Sequence, residues 1–94
     1  MRYNGLMIRQ RVLVHGQVQG VFFRDTCRRR AASHQVAGWV RNLPDGTVEA
    51  VFEGEAPDVE AMTDWCRGGP AHAQVERVEV EAQRPTGQTG FEVR

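Results

Sequence analysis

The 94-residue chain is long enough for one two-layer core and too short for two. It has no run of about 18 apolar residues that could cross a bilayer as a helix. Its twelve basic and twelve acidic residues cancel, which denies it the overall positive field of a nonspecific polyanion binder. The distribution is uneven, however. Residues 1–47 carry eight Arg against Asp25 and Asp45, whereas residues 48–94 carry four Arg against ten acids, so the two halves are expected to neutralise each other on folding. Every basic residue is arginine, as genomic base composition or a demand for planar oxyanion recognition would give.

The first seven residues, Met1 to Met7, lack the apolar core and small-residue cleavage site of a secretory leader. They read as a loosely ordered extension of a cytoplasmic protein that forms a single domain over residues 1–94. Ile8 to His15 contains Val12-Leu13-Val14 and predicts a first strand, central in its sheet and ended by Gly16. Gly16-Gln17-Val18-Gln19-Gly20-Val21-Phe22-Phe23-Arg24 then leads into a helix. Its glycines permit positive φ and close approach, so unpaired NH groups can converge on one point. A helix starting at Phe22 or Phe23 adds its own orphan NH groups and the positive end of its dipole. Arg24 adds a charged fork of donors, and together these read as a phosphate cradle. The same pattern also describes an ordinary strand-to-helix turn with a surface arginine. Neither nucleotide-binding glycine motif is present.

From Phe23 to about His34, Phe23, Cys27 and Ala31 recur at helical spacing, with Arg28, Arg29 and Arg30 turned to solvent. Val36 to Asn42 predicts a second strand, Leu43-Pro44-Asp45-Gly46 a hairpin turn, and Thr47 to Glu53 a third strand. In that third strand Val48, Ala50 and Phe52 share one face, leaving Glu49 and Glu53 for the solvent side of a sheet covered on one side. Pro57 opens a second helix with Val59, Met62 and Cys66 inward and Trp65 flanking, and Gly68-Gly69-Pro70 stops it. Val75 to Ala82 alternates as a fourth strand, and Phe91 to Arg94 is a candidate short fifth. Cys27 and Cys66 read as reduced core thiols, and the scattered His15, His34 and His72 give no metal-ligand spacing, so no metal and no cofactor are expected.

The order β-α-β-β-α-β predicts an α+β fold, a ferredoxin-like two-layer sandwich with two helices on one face of an antiparallel sheet. A right-handed crossover makes the first two strands parallel, so the cradle and Asn42 fall on the same sheet edge. At this point two segments resemble the acylphosphatase family: Gly16 to Arg24, and Gly38-Trp39-Val40-Arg41-Asn42-Leu43-Pro44-Asp45-Gly46-Thr47-Val48-Glu49. Gly69-Pro70-Ala71-His72-Ala73-Gln74-Val75 and Phe91-Glu92-Val93 are similar to its downstream landmarks.

The resemblance implies hydrolysis of an acyl phosphate to a carboxylate and orthophosphate without a metal or a phosphoenzyme. It implies that Arg24 holds the phosphoryl group together with the backbone NH groups of Gln19, Gly20, Val21, Phe22, Phe23 and Arg24. It implies that Asn42, which by itself reads as a turn-entry asparagine, positions the attacking water. Such a site needs no general base, because the leaving carboxylate has a conjugate-acid pKa of about 4 and phosphoryl transfer rests on positioning and charge stabilisation. The expected partner is a small acyl phosphate, with phosphate as product or inhibitor, for a monomer that binds no nucleic acid and no membrane. Two other readings stand beside it. One is a noncatalytic acyl phosphate or carbamoyl phosphate binding module, as in a larger hydrogenase-maturation protein. The other is an RNA-recognition domain of the same strand order, which would need aromatics on its central strands, and the first strand offers none.

Overall fold

The computed structural model describes residues 6–94. Alternation, glycine punctuation and the proline at the second helix start produce seven elements: β1 (Met7–Gln17), α1 (Phe23–Ser33), β2 (Ala37–Asn42), β3 (Val48–Glu55), α2 (Ala56–Cys66), β4 (Gln74–Gln83) and β5 (Phe91–Val93). The sheet order is β4-β1-β3-β2-β5. β1 and β2 each pair antiparallel with β3, which makes them parallel to one another and puts their C-terminal ends on the same edge. This is the ferredoxin-like arrangement expected, with α1 and α2 packed against the sheet. The sheet is nonetheless mixed and not purely antiparallel, because β5 joins β2 in parallel.

The core forms where the two layers meet. Val12, Val14, Val40, Val48, Ala50 and Phe52 from the sheet meet Phe23, Cys27 and Ala31 of α1 and Val59, Met62 and Cys66 of α2. Phe23, Phe52 and Met62 are its largest fully buried side chains, and burying each contributes about 2–3 kcal/mol. Of the extension expected over residues 1–7, residues 1–5 lie outside the described residues, while Met7 already pairs with Glu55. Neither described helix is long and apolar enough to cross a membrane.

Two local expectations are corrected. Gly16 does not end the first strand. β1 continues to Gln17 across a bulge at His15/Gly16, with Gly16 at φ 132° lying so close to Gln74 of β4 that any Cβ would strike the Gln74 carbonyl. The second correction concerns Glu49 and Glu53, which face away from the helices but not into solvent, being 5% and 3% exposed. Arginines from neighbouring strands and the 84–90 loop cover them. Glu49 is held by Arg11 Nε at 2.5 Å and Arg41 Nε at 2.6 Å. Glu53 accepts from Arg9 at 2.9 Å and from the backbone NH groups of Thr86 (2.9 Å), Gly87 (2.7 Å) and Gln88 (3.1 Å). Part of the charge asymmetry of the two halves is thus offset across the β1–β3 and β2–β3 ladders.

Burial by itself would push the Glu53 carboxyl up, but the Thr86 amide, the Arg9 guanidinium and the Gly87 and Gln88 amides outweigh it and bring its pKa down to about 2. A depressed carboxylate stabilises the fold above its unfolded pKa, and that contribution disappears as pH falls toward the folded value. Glu53→Gln is expected to lower unfolding free energy by roughly 3 kcal/mol at pH 7. Urea unfolding should show the gap from wild type narrowing as pH drops from about 5 toward 2.

Candidate active site

The bulge at Gly16 turns the end of β1 toward α1, and two buried anchors fix the path of the chain beyond it. Val18 (1% exposed) and Phe23 (2%) enter the core, and the residues between them form a short bridge over it. Gly20 has φ 73°, and Phe22 is left-handed at φ 61°, ψ 25°, a conformation that a bulky residue adopts only under constraint. Phe22 is the N-cap of α1, and it supplies no side-chain hydrogen bond to the helix start. Among the described residues, none of the amides of Gln19 through Arg24 has an acceptor. The helix N-terminus therefore presents bare donors and its positive dipole end.

Arg24 extends this donor field. Unlike Arg28 and Arg29 on the same helix, which pair with Asp25, it has no Asp or Glu partner among the described residues. Its Nη1 donates to the main-chain oxygen of Arg94 at 3.2 Å, which orients the guanidinium. Asn42 ends β2 half-buried, and among the described residues its side-chain amide makes no hydrogen bond. Arg24 and Asn42 line one cavity of about 510 Å³ together with Gly20, Phe22 and Phe23. Gln19 and Val21 are not part of its lining. Val21 packs on the core instead, and the Gln19 side chain turns to the β2–β3 connection.

Phe23 packs on Trp65 with ring centroids 5.1 Å apart, and Gly69 also lies close against the Phe23 ring. The turn carrying Asn42 is fixed locally as well. Asp45 Oδ1 accepts from Thr47 N at 3.0 Å and from Thr47 Oγ1 at 2.6 Å, which holds the Asp45 carboxyl below its usual range.

The remaining candidates fall outside this cavity. His15 meets Glu79 at 2.5 Å on the face opposite the helices. The Cys27 and Cys66 thiols are buried in the core, and burial pushes both well above the usual thiol range, so neither is a nucleophile near neutrality. Phe52 is buried and stacked on Phe91, and Trp39 carries the guanidinium groups of Arg41 and Arg94 at 5.1 Å and 4.8 Å, so neither ring is a free stacking platform. Among the described residues no cluster of His, Cys, Asp and Glu could hold a metal ion. Asp25, Arg28, Val18 and Val93 also line the cavity and went unrecognised in the sequence as site residues. The i, i+4 spacing of Arg24 and Arg28 was the one available sign.

Fold and cavity together define a ferredoxin-like α+β protein whose uncapped α1 N-terminus, Arg24 and Asn42 line one cavity. The sequence model described as Acylphosphatase matches residues 10–93. An acylphosphatase from Rubrobacter xylanophilus is 62% identical over 87 residues, covering 92% of this chain and 79% of the relative. The chain belongs to the acylphosphatase family. Among solved structures, an acylphosphatase from Coxiella burnetii superposes with TM-score 0.89 at 40% identity, covering 94% of this chain and 93% of that one. HypF from T. kodakarensis gives 0.80 at 32% identity, with 93% of this chain matching only 12% of that longer chain.

A Cβ at Gly69 would stand 2.9 Å from a Phe23 ring carbon, and Gly69 itself has φ 68°. Gly69→Ala is accordingly expected to destabilise the protein by about 2 kcal/mol through overpacking and left-handed strain, a loss that thermal or urea unfolding would read.

Proposed function

We propose that this protein hydrolyses acyl phosphates to a carboxylate and orthophosphate, as its family name describes. The observation that carries the reading is the convergence of the uncapped α1 N-terminus, the Arg24 guanidinium and the Asn42 amide on one cavity. In this mechanism the Arg24 guanidinium and the loop amides that open on the cavity, those of Gly20, Phe22, Phe23 and Arg24, hold the phosphoryl oxygens and stabilise the charge that spreads over them in a loose transition state. Asn42 accepts from water through its carbonyl oxygen and aligns it in line with the leaving oxygen. The departing carboxylate requires no strong protonation, and the water's proton passes to a phosphate oxygen of the substrate.

A guanidinium acts only as a donor and a carboxamide offers no basic atom, so no general base enters. The same reading makes the protein a metal-independent, single-domain cytoplasmic monomer that engages a small acyl phosphate and neither nucleic acid nor membrane. The likeness to a small part of HypF keeps a noncatalytic binding module as the rival.

Purified, chelator-treated protein should hydrolyse benzoyl phosphate, followed by its ultraviolet absorbance. Arg24→Ala is expected to lose both turnover and the rise in melting temperature produced by inorganic phosphate. Asn42→Ala should lower turnover by about 100-fold or more while keeping the phosphate-induced rise, as expected for a group that acts mainly in the transition state. Phosphate binding without turnover in the wild type would favour the binding module, and full activity in Asn42→Ala would remove the water-positioning role.

A further inference from the structure

The two halves of the cavity come from separate segments of chain. The phosphate-holding loop leaves β1, and Asn42 ends β2, and β3 lies between those strands in the sheet. In-line attack tolerates little error in the separation of these halves, since a misplacement of about 1 Å can cost roughly 100-fold in rate. The described structure has one side chain that spans the gap directly. Gln19 Nε2 donates to the Leu43 carbonyl at 2.8 Å and to the Thr47 carbonyl at 2.9 Å. Both acceptors are carbonyls, so only the amine end of the side chain can face them, and both of its protons are used.

Leu43 directly follows Asn42, and the Leu43 amide donates to the Thr47 carbonyl at 2.9 Å, so the two acceptors sit together at the mouth of the β2–β3 turn. At its other end Gln19 lies between the buried anchor Val18 and Gly20, where the loop turns to positive φ. The side chain is half-buried and absent from the cavity lining, so it acts on the site without entering it.

We infer that Gln19 is a positioning residue whose side-chain amide sets the separation between the phosphate-holding loop and Asn42, acting through the backbone of the β2–β3 turn. The inference rests on the hydrolytic reading above. It gives Gln19 a role beside the anion-holding amides: its side chain ties their loop to the water-positioning strand end.

Gln19→Met keeps the length of the side chain and removes both donors. In the folded variant kcat should fall by about 10- to 100-fold with benzoyl phosphate, while the inhibition constant for inorganic phosphate changes by less than about 3-fold, because the loop amides and Arg24 remain. In an Asn42→Ala background the same substitution should cost almost nothing further, since a clamp that places Asn42 has nothing left to place. Gln19→Glu supplies a second measurement. Its carboxylate cannot donate at pH 7 but can donate one hydrogen bond once protonated, so its turnover relative to wild type should rise as pH falls from 7 to 5. An undiminished kcat in Gln19→Met, an equal loss with and without Asn42, or a flat Gln19→Glu ratio would overturn the inference. Absence of turnover in the wild type would overturn the hydrolytic reading itself, which is a separate result.

Discussion

A backbone amide with no acceptor costs free energy unless water or a ligand meets it, and from Gln19 through Arg24 the chain leaves every such donor unpaired within the described protein. A free peptide would relieve that cost by folding the donors onto its own carbonyls. Here the surroundings forbid it. Val18 and Phe23 are committed to the core on either side, the Gly16 bulge fixes the angle of approach, and Phe22 is held left-handed and 76% exposed. The donors stay open because the fold supplies the stability that they forgo. Strain of about 1–3 kcal/mol at a residue such as Phe22 is tolerable only in that setting.

The sheet face opposite the helices is built on the same principle with the signs reversed. β3 is buried along nearly its whole length although, among the described residues, only side chains and the 84–90 loop cover that face. Glu49 and Glu53 take the place that apolar residues fill on the other face, and Arg9, Arg11 and Arg41 lie over them. Guanidinium groups suit this work because each offers several donors in a plane and remains charged when partly desolvated. The 84–90 loop is recruited by Glu53, and Gln88 then donates to the Gly38 carbonyl at 3.1 Å beside β5. A buried carboxylate therefore helps to place the strand that precedes Arg94, whose main-chain oxygen orients Arg24.

Element order and the shared edge of β1 and β2 were legible in the sequence because they follow from period-two alternation, glycine punctuation and crossover handedness, all of which are local or topological. The same topology placed Arg24 and Asn42 at that edge, while the roles given to them came from the resemblance to the family. The burial of Glu49 and Glu53 was not legible, since an alternating carboxylate looks solvent-facing until its partners are known, and Arg9 lies 44 residues from Glu53 in sequence. The Gln19 side chain escaped similarly. Glutamine carries no charge and no periodic signal, and its acceptors are main-chain carbonyls that any residue would present. The strand ending expected at Gly16 failed because glycine permits both a turn and a bulge, and only the approach of β4 decides between them.

The position of β1 between β3 and β4 has a consequence for how the molecule assembles. Arg9 near the start of the chain is paired with Gln83 near its end, so a central ladder closes only after nearly the whole sequence has been gathered. Closing so long a loop forfeits chain entropy before the ladder returns any contact, which places the protein among slow-folding topologies. The bridge over Phe23 has no footing until Trp65 and Gly69 are beneath it, and its bulge has no shape until Gln74 is alongside. Chemistry therefore arrives last, and a partly assembled chain has backbone donors but no cradle.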